Sequence, residues 1–439
     1  MNFATAITTL IHQIETDRSG KVRFTHPFGC SPGLDQSNLV DWLEAQTIYP
    51  KFYWQDRDET EQVVALGQTY TFQDPAPAYT ILGERQRVWG GRAFSPSAKG
   101  GKRCLSSFFF LPIIEIVVSN QTCSLIVNTN RSKSDSIKAL KNLNLDVRLS
   151  KIQSPTVVTA RHTPEKGRWC ELVDDALSAI ENDQFKKVVL ARKTSLELKA
   201  PVAAADIIKM SRLSNHNSFH FLFAMDAGHS FIGSTPERLY QRSDRILKTE
   251  ALAGTIGRGE SLAEDNELAD WLSADSKNLN ENQYVVDDIL DRLAPLTESV
   301  HVEPQANLIR LRRVQHLKRS IYAQLHNDVK GVELLDALQP TAAVAGLPRD
   351  TSMQFIEDNE PFMRGWYAGS VGYLSHEKAE FCVAIRSALV VDNTIHLFAG
   401  AGIVPGSKAE HEWQELDKKL STLLSLIIEE ETEDLGVIS

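Results

Sequence analysis

Two segments set an ionisable side chain at the edge of an apolar, strand-like run: Phe185-Lys-Lys-Val-Val-Leu-Ala-Arg192 and Gly233-Ser-Thr-Pro-Glu-Arg238. Burial disfavours the charged form of an amine or a carboxyl, so a half-buried Lys187 and a half-buried Glu237 would supply a general base and a general acid near neutral pH. The competing reading is an exposed lysine at a strand end and a glutamate in a turn.

Two further carboxylates stand on predicted helices. In the closing helix, expected over about Lys408–Glu430, Trp413, Leu416, Leu420, Leu423 and Ile427 form an apolar stripe, and Glu412, Glu415 and Lys419 form a second one beside it. The stripe carries either acidic groups facing a metal ion or an ordinary Glu415–Lys419 helix pair. Glu281 opens another helix, Asn280–Leu293, at the end of the face made by Val285, Ile289 and Leu293. The helix dipole explains a glutamate there without any ligand. Paired with a carboxylate from a distant helix, it would suit Mg²⁺, which takes hard oxygen ligands and keeps several waters.

Phe398-Ala-Gly-Ala-Gly-Ile-Val-Pro-Gly406 reads as a glycine-rich turn from strand to helix. Its spacing misses the dinucleotide fingerprint and no βαβ unit surrounds it, so a nicotinamide or flavin site is not expected. Arg386, inside the apolar Val383–Ser387 segment, suits bidentate capture of a carboxylate. Tyr367 offers a phenol, or simply a core aromatic.

The chain of 439 residues is 42% hydrophobic and 24% charged, as expected of a soluble globular protein with a sizeable core. A net charge of −10 argues against nucleic acid as a general partner. The basic run Arg310–Arg319 reads as the solvated face of a helix, expected over Arg310–Leu325. The 5 cysteines (Cys30, Cys104, Cys123, Cys170 and Cys382) lack metal-ligand spacing and are expected as reduced thiols in a cytoplasmic protein. Neither a signal peptide nor a membrane-spanning segment is predicted.

These residues need a frame. Strands are expected over Thr47–Trp54, Gln62–Leu66, Ala78–Leu82, Ser106–Val118 and Thr122–Asn128, with a helix over Ser132–Asn142 and a connection over Lys151–His162. A helix over Gly167–Asp183 follows. Strands are then expected at Lys187–Leu198, Ser218–Met225, Ser230–Ser234, Arg238–Gln241, Ile246–Ile256, Ala368–Leu374, Phe381–Val391 and Thr394–Ala399. Leu262–Ala274 and Gly331–Leu338 complete the predicted helices. Short connections between neighbouring strands imply mostly antiparallel sheets with helices outside them, an α+β fold. Residues 1–164 are read as a strand-rich region completing the fold, 165–430 as the catalytic region and 431–439 as an acidic tail.

From about Gly167 to the end of the closing helix the chain resembles the chorismate-utilising enzymes. The matching motifs are Lys187-Val-Val-Leu-Ala-Arg192, Ser234-Thr-Pro-Glu237, Leu252-Ala-Gly-Thr255, Gln339-Pro-Thr-Ala-Ala-Val-Ala-Gly-Leu-Pro348, Trp366-Tyr-Ala-Gly369 and Ala399-Gly-Ala-Gly-Ile-Val404. The similarity is greatest to the menaquinone-type isochorismate synthases. The resemblance implies Lys187 as the base that activates water, Glu237 as the general acid, and Glu281 and Glu415 as Mg²⁺ ligands. It places the substrate carboxylates against Tyr367, Arg386, Lys419 and the backbone around Gly254, Thr255 and Gly400, with His316 and Thr341 near the ring. Asn278 stands where other members carry a further acidic residue, which implies a thinner metal shell. Lysine at 187 implies water rather than ammonia as nucleophile, so no glutaminase subunit is expected and the chain would act as a monomer or homodimer. The alternatives are a salicylate synthase, which goes on to eliminate pyruvate, and a non-catalytic chorismate-binding regulator.

Overall fold

The computed structural model describes residues 2–29, 34, 38–95, 106–119, 122–145 and 155–427. Residues 428–430 of the expected closing helix and the acidic tail 431–439 lie outside them, as do Cys30 and Cys104.

Two large antiparallel sheets organise these residues, one of 12 strands and one of 10. Both draw on both parts of the chain. In the larger sheet, Lys51–Gln55 pairs with Phe219–Asp226; in the smaller, Val88–Arg92 pairs with Ser370–Leu374. Between the sheets lies an aromatic layer containing Phe52, Trp54, Trp89, Phe110, Phe223 and Trp366, all essentially inaccessible to solvent. Phe223 stacks on Trp366 at 4.9 Å and on Phe110 at 5.6 Å, so rings from the two sheets interlock.

Helices cover the outer faces. Ser276–Leu293 packs on the strand Ile246–Gly257 of the smaller sheet, and Ala409–Ile427 packs on Thr394–Ile403 of the larger one. Each buries the apolar stripe that its periodicity predicts. Asp275 caps the first of these, its carboxylate accepting from the Asn278 amide at 2.9 Å. Arg192 Cζ lies over the Trp413 ring, 4.1 Å from its centroid, and the guanidinium reaches Asp417, which ties the closing helix to the strand Lys187–Leu198.

Several expected elements change type or divide. Arg310–Leu325 is two strands, Asn307–Arg310 and Val314–Leu325, instead of a helix. Leu311, Val314 and Leu317 fit a helical period, but Ile321, Ala323 and Leu325 alternate with the more exposed Tyr322 and Gln324, and the two-residue period prevails within the sheet. Ala76–Thr80 forms a 3-10 turn instead of a strand, since Pro75 and Pro77 fix φ and remove donors. Pro112 divides the expected Ser106–Val118 strand into Phe108–Leu111 and Ile114–Ser119, which lie in different sheets. Val157–Thr163, expected as part of a connection, pairs with the long strand at Lys193. The glycine-rich segment is strand through Ile403, so Gly400 and Gly402 lie within a sheet and only Gly406 turns the chain. Helices Ala204–Ser214 and Arg349–Asn359 had no predicted counterpart. Cys170 and Cys382 are free thiols, but Cys123 is disulfide-bonded, against the expectation of thiols throughout.

Phe223→Ala should cost about 3–5 kcal/mol, because it opens a cavity among the rings of Phe52, Phe108, Phe110 and Trp366. Equilibrium denaturation would read this as a lower midpoint at unchanged slope.

Candidate active site

The chain passes from one sheet to the other at two neighbouring points. Between the strands His229–Thr235 and Arg238–Ser243 it crosses through Pro236 and Glu237; between Lys378–Val383 and Ser387–Val391 it crosses back through Arg386. The crossings are laced together: the Val383 amide donates to the Glu237 carbonyl at 3.0 Å and the Ser234 amide to the Arg386 carbonyl at 3.1 Å. Arg386 adopts φ of 48°, a left-handed conformation that a non-glycine residue holds only when its surroundings impose it. The expected single strand Phe381–Val391 is therefore broken at its arginine, and this break aims the guanidinium inward.

Both side chains face a cavity of about 940 Å³, counting its open mouth. Gly254, Thr255, Glu281, His316, Tyr367, Gly400, Glu415 and Lys419 line the same space. Lys187 is fully buried behind Gly402 and reaches the lining through Glu281: a Cβ added at Gly402 would lie 2.9 Å from Glu281 Oε1 and 3.0 Å from Lys187 Cε. Of the predicted site residues, Lys187 and Thr341 stay behind the wall. The Thr341 hydroxyl is buried without a partner, while Ala343 and Val344 form the lining there. Lys277 and the apolar Val189, Ile385 and Phe398 complete the enclosure without having been singled out in sequence. Their only local signal is position beside a motif residue.

The charges are arranged in pairs. Lys187 Nζ lies 2.9 Å from Glu281 Oε1, off the line of a well-aligned hydrogen bond. Burial would raise the Glu281 pKa, but the Lys187 charge outweighs it and holds the carboxylate below its ordinary value. Lys419 Nζ sits 2.6 Å from Glu415 and donates to the Gly400 carbonyl at 2.9 Å. Its burial is likewise outweighed by the Glu415 charge, and its pKa rises.

Glu237 is different. It is only 4% exposed, and burial, reinforced by the nearby Glu250 charge, pushes its pKa up to about 8 against the pull of Lys187, Arg386 and Lys419. At neutral pH it is a proton donor. Burial lowers Arg386 to about 10, still a cation at neutral pH. Burial and the Arg386 charge depress His316 well below its ordinary value, leaving a neutral ring. Arg386 Nη2 donates to His316 Nε2, so the ring proton must sit on Nδ1, 2.9 Å from Thr255 Oγ1. Thr255 accepts there, and its own hydroxyl hydrogen is free to meet a ligand oxygen. The Thr255–His316 juxtaposition comes from strand register, which directly opposes these two residues.

The acidic groups suit a hard divalent cation. Glu281 projects from one helix, Glu412 and Glu415 from another, and all three line the cavity. Burial raises the Glu412 pKa and the Glu415 charge raises it further, a repulsion that a cation would relieve. Among the described residues no group of three or more His, Cys, Asp or Glu side chains forms a ready metal cage. Mg²⁺ needs none, since it binds through one or two carboxylates and keeps water or substrate oxygens. Asn278 is engaged within the protein, its side-chain oxygen accepting from the Thr255 amide and its Nδ2 donating to Asp275.

A cavity with a buried acid, a lysine, carboxylate-binding cations and an acidic edge, set between two antiparallel sheets, is the site of an enzyme acting on a small anionic substrate. The family model described as "Chorismate binding enzyme" matches residues 75–428, and the chain belongs to that family. It is 41% identical to isochorismate synthase MenF of Escherichia coli (strain K12), over 90% of this chain and 92% of that protein. With the MenF of Haemophilus influenzae the identity is 38%, over 90% and 91%. The solved structure of MenF, the menaquinone-specific isochorismate synthase from Escherichia coli, superposes with a TM-score of 0.88 at 38% identity, covering 98% of this chain and 100% of that one. No helix among the described residues is long and apolar enough to cross a membrane.

The raised pKa of Glu237 has a cost in stability. Between the ordinary glutamate value of 4.5 and about 8 the native state holds a proton that the unfolded chain has lost, so stability falls as pH rises through this window. Glu237→Gln removes the penalty. Its melting temperature relative to the parent should rise steadily from pH 4.5 to 8 and level off above, as scanning calorimetry would show.

Proposed function

We propose that this protein is an isochorismate synthase, which isomerises chorismate to isochorismate with Mg²⁺ and feeds menaquinone synthesis in the cytoplasm. The observation that carries the reading is a buried Glu237, protonated up to about pH 8, facing a cavity lined also by Glu281, the ion-pair partner of a buried lysine at 187. The identity to isochorismate synthases along most of the chain supports it.

Lys187 acts as the neutral amine, released from its ion pair with Glu281, and takes a proton from water as the water oxygen bonds to C2 of the ring. The ring double bonds shift, the C4–oxygen bond breaks, and Glu237 gives its proton to the departing hydroxyl, which leaves as water. Lys187 ends as ammonium and Glu237 as carboxylate, so charge and protons balance. Glu237 is fixed before the substrate arrives, whereas Lys187 has first to give up its contact with Glu281.

Arg386 and Tyr367 bind one substrate carboxylate, with the Thr255 hydroxyl and the backbone at Gly254 and Gly400 alongside. Lys419 offers a second cation. Glu281 and Glu415 would hold Mg²⁺, which when bound neutralises the ring carboxylate and draws electron density as the diene shifts. Water as nucleophile requires no ammonia supply, hence no glutaminase subunit, and the chain works as a monomer or homodimer.

Purified protein incubated with chorismate and Mg²⁺ should yield isochorismate without pyruvate, and neither product when Mg²⁺ is chelated. Salicylate with pyruvate would assign it instead to the lyase-competent branch. Binding without turnover would make it a regulator. Lys187→Ala and Glu237→Gln should each lower kcat by about 10²–10⁴-fold in folded protein; near-parental turnover in either would remove that residue from its role.

A further inference from the structure

Behind the Glu237 turn, away from the cavity lining, lies a buried ion pair that the reaction as described does not use. Arg57, from the turn between strands Lys51–Gln55 and Glu61–Leu66, meets Glu250 of strand Ile246–Gly257 through two hydrogen bonds, Nη1 to Oε1 at 2.5 Å and Nη2 to Oε2 at 3.0 Å. Both side chains are nearly inaccessible to solvent, at 8% and 1%. The pair also grips the backbone on either side of Glu237. Arg57 Nη1 donates to the Pro236 carbonyl at 2.7 Å, and Glu250 Oε1 accepts from the Arg238 amide at 3.0 Å.

We infer that Arg57 and Glu250 form a clamp that positions the general acid: together they lock the peptide units flanking Glu237 and set a fixed negative charge behind its carboxyl. The inference deepens the proposed function and rests on it. A buried ion pair is poor evidence of stability, because desolvation offsets most of its attraction. What this one supplies is geometry, a planar fork joined to both neighbours of one side chain. Arg57 lies outside residues 75–428, so the family match does not include the clamp's guanidinium. In the sequence Glu250 carries the same signal as Arg386, a charge embedded in an apolar strand.

The charged groups facing Glu237 are Glu250, Lys187, Arg386 and Lys419. Of these only Glu250 opposes its ionisation. Glu250→Gln preserves shape and acceptor but removes the charge, so Glu237 should ionise at lower pH. The basic limb of the kcat/KM profile is expected to move down by about one pH unit. Arg57→Lys keeps the charge but loses the fork. It should lower kcat on the order of 10-fold, with KM within about twofold and the basic limb in place.

Infrared titration of the carboxylic C=O band that disappears in Glu237→Gln reads the Glu237 proton without turnover. In Glu250→Gln this titration should shift together with the rate profile; superimposable titrations would overturn the electrostatic half of the inference. Parental kcat in Arg57→Lys would overturn the positioning half. Should Glu250→Gln fail to fold by melting analysis, Arg57→Lys decides alone. Absence of isochorismate from the parent protein would defeat the proposed function, whereas the infrared titration would still report on the clamp.

Discussion

Burial of a carboxyl where the chain changes sheets is the constraint on which this site depends. A charged Glu237 would have to be solvated or paired, and at the crossing it is neither; the carboxyl therefore keeps its proton. The aromatic layer between the sheets keeps the adjoining interior dry, and the laced crossings prevent the turn from swinging out into water. The cost is a native state that becomes less stable as pH rises, a strain the large core can absorb.

The other charges obey the opposite rule. Lys187 with Glu281, Lys419 with Glu415 and Arg57 with Glu250 each bring opposite charges together where water is scarce. Lys419–Glu415 lines the cavity and Lys187–Glu281 reaches it through its glutamate, so a dianionic substrate and a divalent cation can exchange partners there at little electrostatic cost. The third lies behind the wall, with both carboxylate oxygens and the guanidinium fork already committed, and it holds shape. Glycines make the arrangement possible. A side chain at 402 would separate Lys187 from Glu281, and one at 400 would meet the Tyr367 hydroxyl at 2.8 Å.

Much of this was legible in the amino-acid sequence. Lys187, Glu237 and Arg386 stood out because a charge in an apolar run needs a reason. Glu281, Glu415 and Lys419 were placed by helical period and both apolar stripes are buried, but the first helix begins at Ser276, so Glu281 lies within it and does not open it. The antiparallel α+β character followed from short connections. His316 was placed on a helix, and only when that segment became a strand did register set it opposite Thr255.

What the sequence by itself determined were the local quantities: which residues carry charge, which faces are apolar, where proline and glycine interrupt a strand. Tertiary structure decided the rest. A change of sheet looks the same as a continuing strand when read along the chain, because both alternate and both are apolar. Only the closing of two sheets over one core shows that Glu237 and Arg386 lie at the crossings. Proximity between Arg57 and Glu250, 193 residues apart, is likewise invisible to any local pattern. Which charges meet, and which carboxyl is left without a counter-ion, is settled by packing, since electrostatic energy in a dry interior depends on distances that spacing along a chain does not contain.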